Sequence, residues 1–76
     1  MNDYHNVITF ANGYSASIVS SAMSYGGSKG LFEIAVMFDN VIVYDTPVTS
    51  DVVGFLDFAG VAKTLKEIEA LPSRKY

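Results

Sequence analysis

The sequence has no cysteine and no tryptophan, a single histidine and two prolines in 76 residues. Without cysteine there is no disulfide framework and no thiolate metal site, which suits a reducing compartment. No apolar run approaches the roughly 20 residues that a membrane-spanning helix needs. The N-terminal MNDYHN has neither the basic nor the apolar segment of a signal peptide. These absences lead to the expectation of a cytoplasmic protein without membrane contact. Basic residues are also scarce. Residues 1–57 hold six acids and only Lys29 on the other side, a balance of −5, whereas residues 58–76 balance at +2. An acidic surface is a poor phosphate binder, because nucleic-acid affinity rests on basic contacts, so no direct nucleic-acid binding is expected. Six carboxylates over 57 residues are too sparse for a DNA mimic and read as a solubilising surface.

What is present is apolar. Half the residues are hydrophobic and 17% are charged, which argues for a packed core and against disorder. At this length the chain makes one small domain that buries about 60–65% of its unfolded surface. The centre of the pattern is Gly30 to Thr46, GLFEIAVMFDNVIVYDT. Two runs rich in Val, Ile, Phe and Tyr are joined by Asp39-Asn40, a two-residue polar break that reads as a hairpin. Phe38 then faces Val41, which puts Phe32, Ile34, Val36, Phe38, Val41 and Val43 on one wholly apolar face. Leu31, Glu33, Ala35, Met37, Ile42 and Tyr44 fall on the other.

Upstream, residues 7–11 (VITFA) and 14–21 (YSASIVSS) read as two strands around Asn12-Gly13, the dipeptide favoured where both central residues of a type I′ turn take positive φ. The small residues of the second strand leave room for close approach of a neighbour. Residues 22–30 are a glycine-rich loop. Strands at 31–38 and 41–46 follow, the last ended by Pro47. Val52 to Leu56 suits either a short edge strand or a helical turn broken by Gly54. Asp57 is a helix N-cap, and Phe58, Val61, Leu65, Ile68 and Leu71 form one stripe of a helix over 58–71, with Lys63, Thr64, Lys66 and Glu67 off it. The fold class expected is α+β: a four-stranded antiparallel meander with one C-terminal helix packed on one face.

Few residues offer chemistry. The 22–30 loop has glycines and Lys29 but precedes a strand and lacks the spacing of a phosphate-binding loop. It reads first as a connection, and second as a small-molecule or nucleotide site with Lys29 supplying charge and Tyr25 a stacking surface. Asp45, Asp51 and Asp57 lie six apart with Pro47 intervening, unlike the close alternation of a calcium loop, and read as turn and cap residues. His5 reads as solvated or packed. No catalytic constellation, metal site or cofactor is indicated. Tyr14, Tyr25 and Tyr44 are few-rotamer aromatics of the kind enriched at binding hot spots, although core packing with a satisfied hydroxyl is the favoured reading of each. With Lys29, Met37 and Ile42 they make up the expected partner-binding set. One helix covers one sheet face, so the face carrying Leu31, Ala35, Met37, Ile42 and Tyr44 is expected to be covered by a second copy, with Glu33 at its rim, or by residues 52–56 folding back across it.

One string of residues resembles a known group. Asn12-Gly13-Tyr14, Ala16-Ser17-Ile18-Val19, Ser24-Tyr25-Gly26-Gly27, Gly30 to Val36, and Tyr44 to Thr49 with Asp51 to Gly54 resemble small bacteriophage proteins of unassigned function. The similarity covers about residues 10–56, with Ser15 standing where glycine is expected. It names no catalytic residue. It implies a phage or prophage origin, expression in the bacterial cytoplasm, and the habit of such proteins of binding and inhibiting host machinery such as RNA polymerase, nucleases and CRISPR effectors. The function expected is therefore a non-enzymatic protein that binds and modulates a bacterial host complex.

Overall fold

The computed structural model describes residues 3–21 and 27–73. The chain forms strands β1 (Tyr4–Thr9), β2 (Tyr14–Ser20), β3 (Phe32–Phe38), β4 (Val41–Ile42) and β5 (Val53–Leu56), then helix α1 (Phe58–Glu69). The sheet is antiparallel in the order β1-β2-β3-β4, with β5 also paired to β3. This is the expected α+β meander with a C-terminal helix, plus a fifth strand. β4 and β5 share one edge of β3: β4 pairs at Met37 and Phe38, and β5 at Phe32 and Ile34. Residues 52–56 therefore widen the sheet instead of crossing its second face.

Two turns set the register; the two-residue turn at Asp39-Asn40 is as expected, and the one at Asn12-Gly13 is not. The type I′ geometry belongs to Asp39 and Asn40, with φ of 55° and 63°. Their short polar side chains tolerate the left-handed region, and Phe38 pairs with Val41 as predicted. Asn12-Gly13 lies instead in a three-residue loop. The Gly13 N–H donates to the Phe10 carbonyl at 3.1 Å, the Phe10 N–H donates to the Tyr14 carbonyl at 2.8 Å, and only Gly13 takes positive φ, at 90°. That is a type I turn closed by a glycine bulge. The longer loop removes Phe10 and Ala11 from the strand, so β1 runs over 4–9 and not 7–11.

The core lies between the sheet and α1. Tyr14, Ala16, Ile18, Ile34, Val36, Ile68 and Leu71 form its buried cluster, with Phe32, Phe38, Val43, Leu56, Val61 and Leu65 packed around it. β2 and β3 thus present alternate residues to the helix, as their period of two requires. The Asp57 carboxylate caps the helix by accepting from the Gly60 N–H at 2.7 Å.

Three expectations about the core fail for identifiable reasons. Phe58 opens the helical stripe yet is 81% exposed, because it sits at the first helical position with Phe32 as its ring contact. Val41 is 62% exposed, because it adjoins the turn in a two-residue edge strand. Thr64, placed off the stripe, is buried, with its hydroxyl donating to the Gly60 carbonyl at 2.9 Å. A satisfied hydroxyl can occupy an apolar face. The helix ends two residues early, and Ala70 forms its C-cap.

Candidate interaction surface

The face of the sheet turned away from α1 can be read row by row from the strand register. One row runs Thr9, Ser15, Met37, Ile42, the next Val7, Ser17, Ala35, and the third His5, Val19, Glu33. No described element lies across these rows: α1 contacts β2, β3 and β5 on the opposite face. The central positions Ser15, Ser17 and Ala35 are small, and Val7, Val19, Met37 and Ile42 stand around them. Val7 is 49% and Ile42 39% exposed, and Met37 is half-buried. The result is a broad surface, half apolar and half polar, with a low floor of small residues and a polar end at His5 and Glu33. Asp39, Asp45 and Asp51 are exposed in the turn and loop beyond it.

At the Glu33 end, His5 Nε2 lies 3.2 Å from the Ser17 hydroxyl. In register, Val19 separates His5 from Glu33. The contact is exposed, and no group of three or more metal-ligating side chains occurs among the described residues.

The six residues expected to bind a partner do not converge. Met37 and Ile42 are cross-strand neighbours on the uncovered face. Tyr44 follows just beyond β4 and is 54% exposed. Tyr14 is not a surface anchor: it is 4% exposed, within the core cluster, and meets Phe38 edge-on at 5.0 Å. Its position directly after the Gly13 bulge starts β2 on the core face, so its ring is committed to packing. Lys29 is exposed at the end of a single 3-10 turn, Gly27–Lys29. It sits beyond the Phe32 end of β3, whereas Met37 is at the other end. Tyr25 lies outside the described residues, as do Ala22 to Gly26 of the loop.

Sequence reasoning passed over a second exposed apolar group. Tyr4 meets Phe32 edge-on at 5.6 Å, and Phe58 tilts against the same ring at 5.5 Å. Nearby, Phe55 is 60% exposed and has φ of 57°. The β3–β5 register shifts between Phe32 and Ile34, so Phe55 occupies a bulge, where a bulky residue is strained. The one signal of this in the sequence was the unresolved reading of Val52 to Leu56.

No described helix is long and apolar enough to cross a membrane. Comparison with protein-family models, curated proteins and solved structures returned no match.

Proposed function

We propose that this protein is a non-enzymatic binding module whose uncovered sheet face docks onto another protein. The observation that carries the reading is the arrangement of Val7, Val19, Ala35, Met37 and Ile42 on a sheet face with no described element over it. Apolar side chains grouped on a sheet face are the usual material of a contact surface, and the polar residues among and beside them, His5 and Glu33 included, supply the hydrogen-bonding groups that such contacts need. The acidic balance of residues 1–57 favours a partner with a basic border around an apolar centre. The resemblance to small phage proteins supports a bacterial host complex in the cytoplasm as the target, with modulation or inhibition as the outcome.

The test is a paired retention experiment. The parent chain and a Met37→Glu/Ile42→Glu variant, both verified as folded by circular dichroism, are immobilised and challenged with bacterial lysate. The parent should retain a discrete partner at low salt, and the variant should lose it. Equal retention by both removes this face from the interaction. The alternative, a nucleotide or small-molecule site at residues 22–30, draws on the exposed Lys29. It predicts a thermal shift: a ligand at 100 times its dissociation constant stabilises by about 2.7 kcal/mol. Lys29→Ala should abolish such a shift and leave partner retention unchanged.

A further inference from the structure

The two edges of the sheet are guarded very differently. Natural sheets blunt their edges with short strands, bulges, prolines or charges. The β4/β5 edge has three of these: a two-residue strand, a register shift between Phe32 and Ile34, and Pro47 between the two segments. β1 has none. It is six residues long, YHNVIT, with an unbroken register from Tyr4 opposite Ser20 to Thr9 opposite Ser15. It contains no proline and no Asp, Glu, Lys or Arg. Its residues are exposed except for half-buried Ile8.

The hydrogen-bonding direction of this edge can be worked out. The Phe10 N–H points to β2, where it reaches the Tyr14 carbonyl. Alternation along a strand then turns Ile8, Asn6 and Tyr4 toward β2, and Thr9, Val7 and His5 outward. An independent observation agrees: the Val7 N–H donates to its neighbour Asn6 Oδ1 at 3.0 Å, not to β2. The outward groups of His5, Val7 and Thr9 are spaced symmetrically about Val7.

We propose that β1 is a self-pairing edge, and that two copies of this chain join antiparallel through it about a two-fold axis at Val7. Val7 meets Val7 of the second copy as a hydrogen-bonded pair, and His5 meets Thr9 on either side, giving three such pairs of two bonds each. The exposed Asn6–Val7 bond is exchanged for an interchain one. The same register sets Asp3 opposite Ala11, so no like charges meet, although the chain is acidic. A second copy fits this edge for that reason, and because an isologous contact closes without leaving a further edge to extend. The axis is normal to the sheet, so both helices stay on one side. The two uncovered faces merge into one continuous surface on the other. This dimer is distinct from one built by stacking face on face, and it does not depend on the binding role proposed above.

The absence of native cysteine makes the test direct. Val7→Cys places two thiols at a hydrogen-bonded cross-strand pair, where the Cα separation of about 5.5 Å lies within disulfide range. Mild oxidation should give a covalent species of twice 8.2 kDa, and Met37→Cys should not. In sedimentation equilibrium at micromolar concentration the parent should be dimeric. Val7→Pro should raise the dimer dissociation constant at least tenfold with the β spectrum retained, since the lost N–H faces outward and β2 keeps its bonds. Val7→Thr, which keeps the N–H, should remain dimeric. A monomeric parent, cross-linking of Met37→Cys as readily as Val7→Cys, or a Val7→Pro chain that is folded and still dimeric would each overturn the proposal.

Discussion

Replacing Asn12 by alanine is expected to destabilise the domain by about 2–3 kcal/mol, far more than is usual for a polar turn residue. The half-buried Asn12 amide nitrogen donates to the carbonyls of Ile68 and Leu71, each at 2.9 Å, with a longer contact of 3.2 Å to Glu69. Its oxygen accepts from the Tyr14 N–H at 3.0 Å. One side chain thus holds the first hairpin's turn against carbonyls at and just beyond the C-terminal end of α1, where the Ile68 carbonyl also accepts from the Leu71 N–H at 3.1 Å. Two good donations and one acceptance, at about 0.5–1.5 kcal/mol net each, give about 1.5–4.5 kcal/mol. Partial exposure lets water recover some of it, hence the lower middle of that range. A domain of this length has roughly 4–11 kcal/mol of stability in total, and each kcal/mol corresponds to about 4–8 °C in melting temperature. Thermal unfolding followed by circular dichroism should therefore show a fall of about 10–20 °C. Asn12→Asp should be worse than alanine. It keeps the acceptor for Tyr14 but turns a negative charge onto three carbonyls at the negative end of the helix dipole. An Asn12→Ala melt within about 2 °C of the parent, or an aspartate variant more stable than the alanine one, would refute this account of the clamp.

Other substitutions probe the remaining elements by the same melts. Gly13→Val should cost more than about 2 kcal/mol: φ of 90° is strained for a β-branched residue, and a Cβ there would lie 2.9 Å from Phe38 Cε2. Ile68→Ala, at a fully buried position, should lose about 2–5 kcal/mol, whereas exposed Lys66→Ala should be almost silent; equal effects would mean the helix does not pack through Ile68. At Phe55, glycine should exceed alanine in stability by about 1 kcal/mol, because both lose the ring and only glycine relieves the left-handed backbone. An alanine variant as stable as the glycine one would show that the bulge carries no strain.

Alternation made the two-stranded centre legible: with a two-residue break at Asp39-Asn40, the apolar period alone assigned Ile34 and Val36 to the core. Asp57 was equally readable, since a cap before an apolar stripe is a local signal. What escaped reading depends on partners distant in the chain. The length of the first loop follows from Gly13 alone taking positive φ, and Asn12 looked like turn chemistry when its amide actually serves residues 56 to 59 positions away. The sequence leaves Tyr14 between core packing and a surface role, because nothing in its neighbourhood reveals the Phe38 ring beside it. Thr64 read as solvent-facing because polarity was taken for exposure. Of the candidate surface, the Met37–Ile42 pairing was visible in the hairpin register. The neighbouring contributions of Val7 and Val19 required the full sheet order, and the exposure of Phe58 required knowing where the helix begins relative to the sheet.

The reach of Asn12 also bears on how the chain folds as it is made. Synthesis is vectorial, at about 5–20 residues per second. In a chain that stops at Glu67, Ile68 and the carbonyls that receive the Asn12 amide are missing although every strand segment is encoded. The nascent hairpin waits with its turn donors in water and its Tyr14–Ile34–Val36 face without its principal lid. Residues 68–71 supply both the side chains that seal the core and the acceptors that fasten the turn. Seal and fastening therefore come from the same short segment and are gained or lost together.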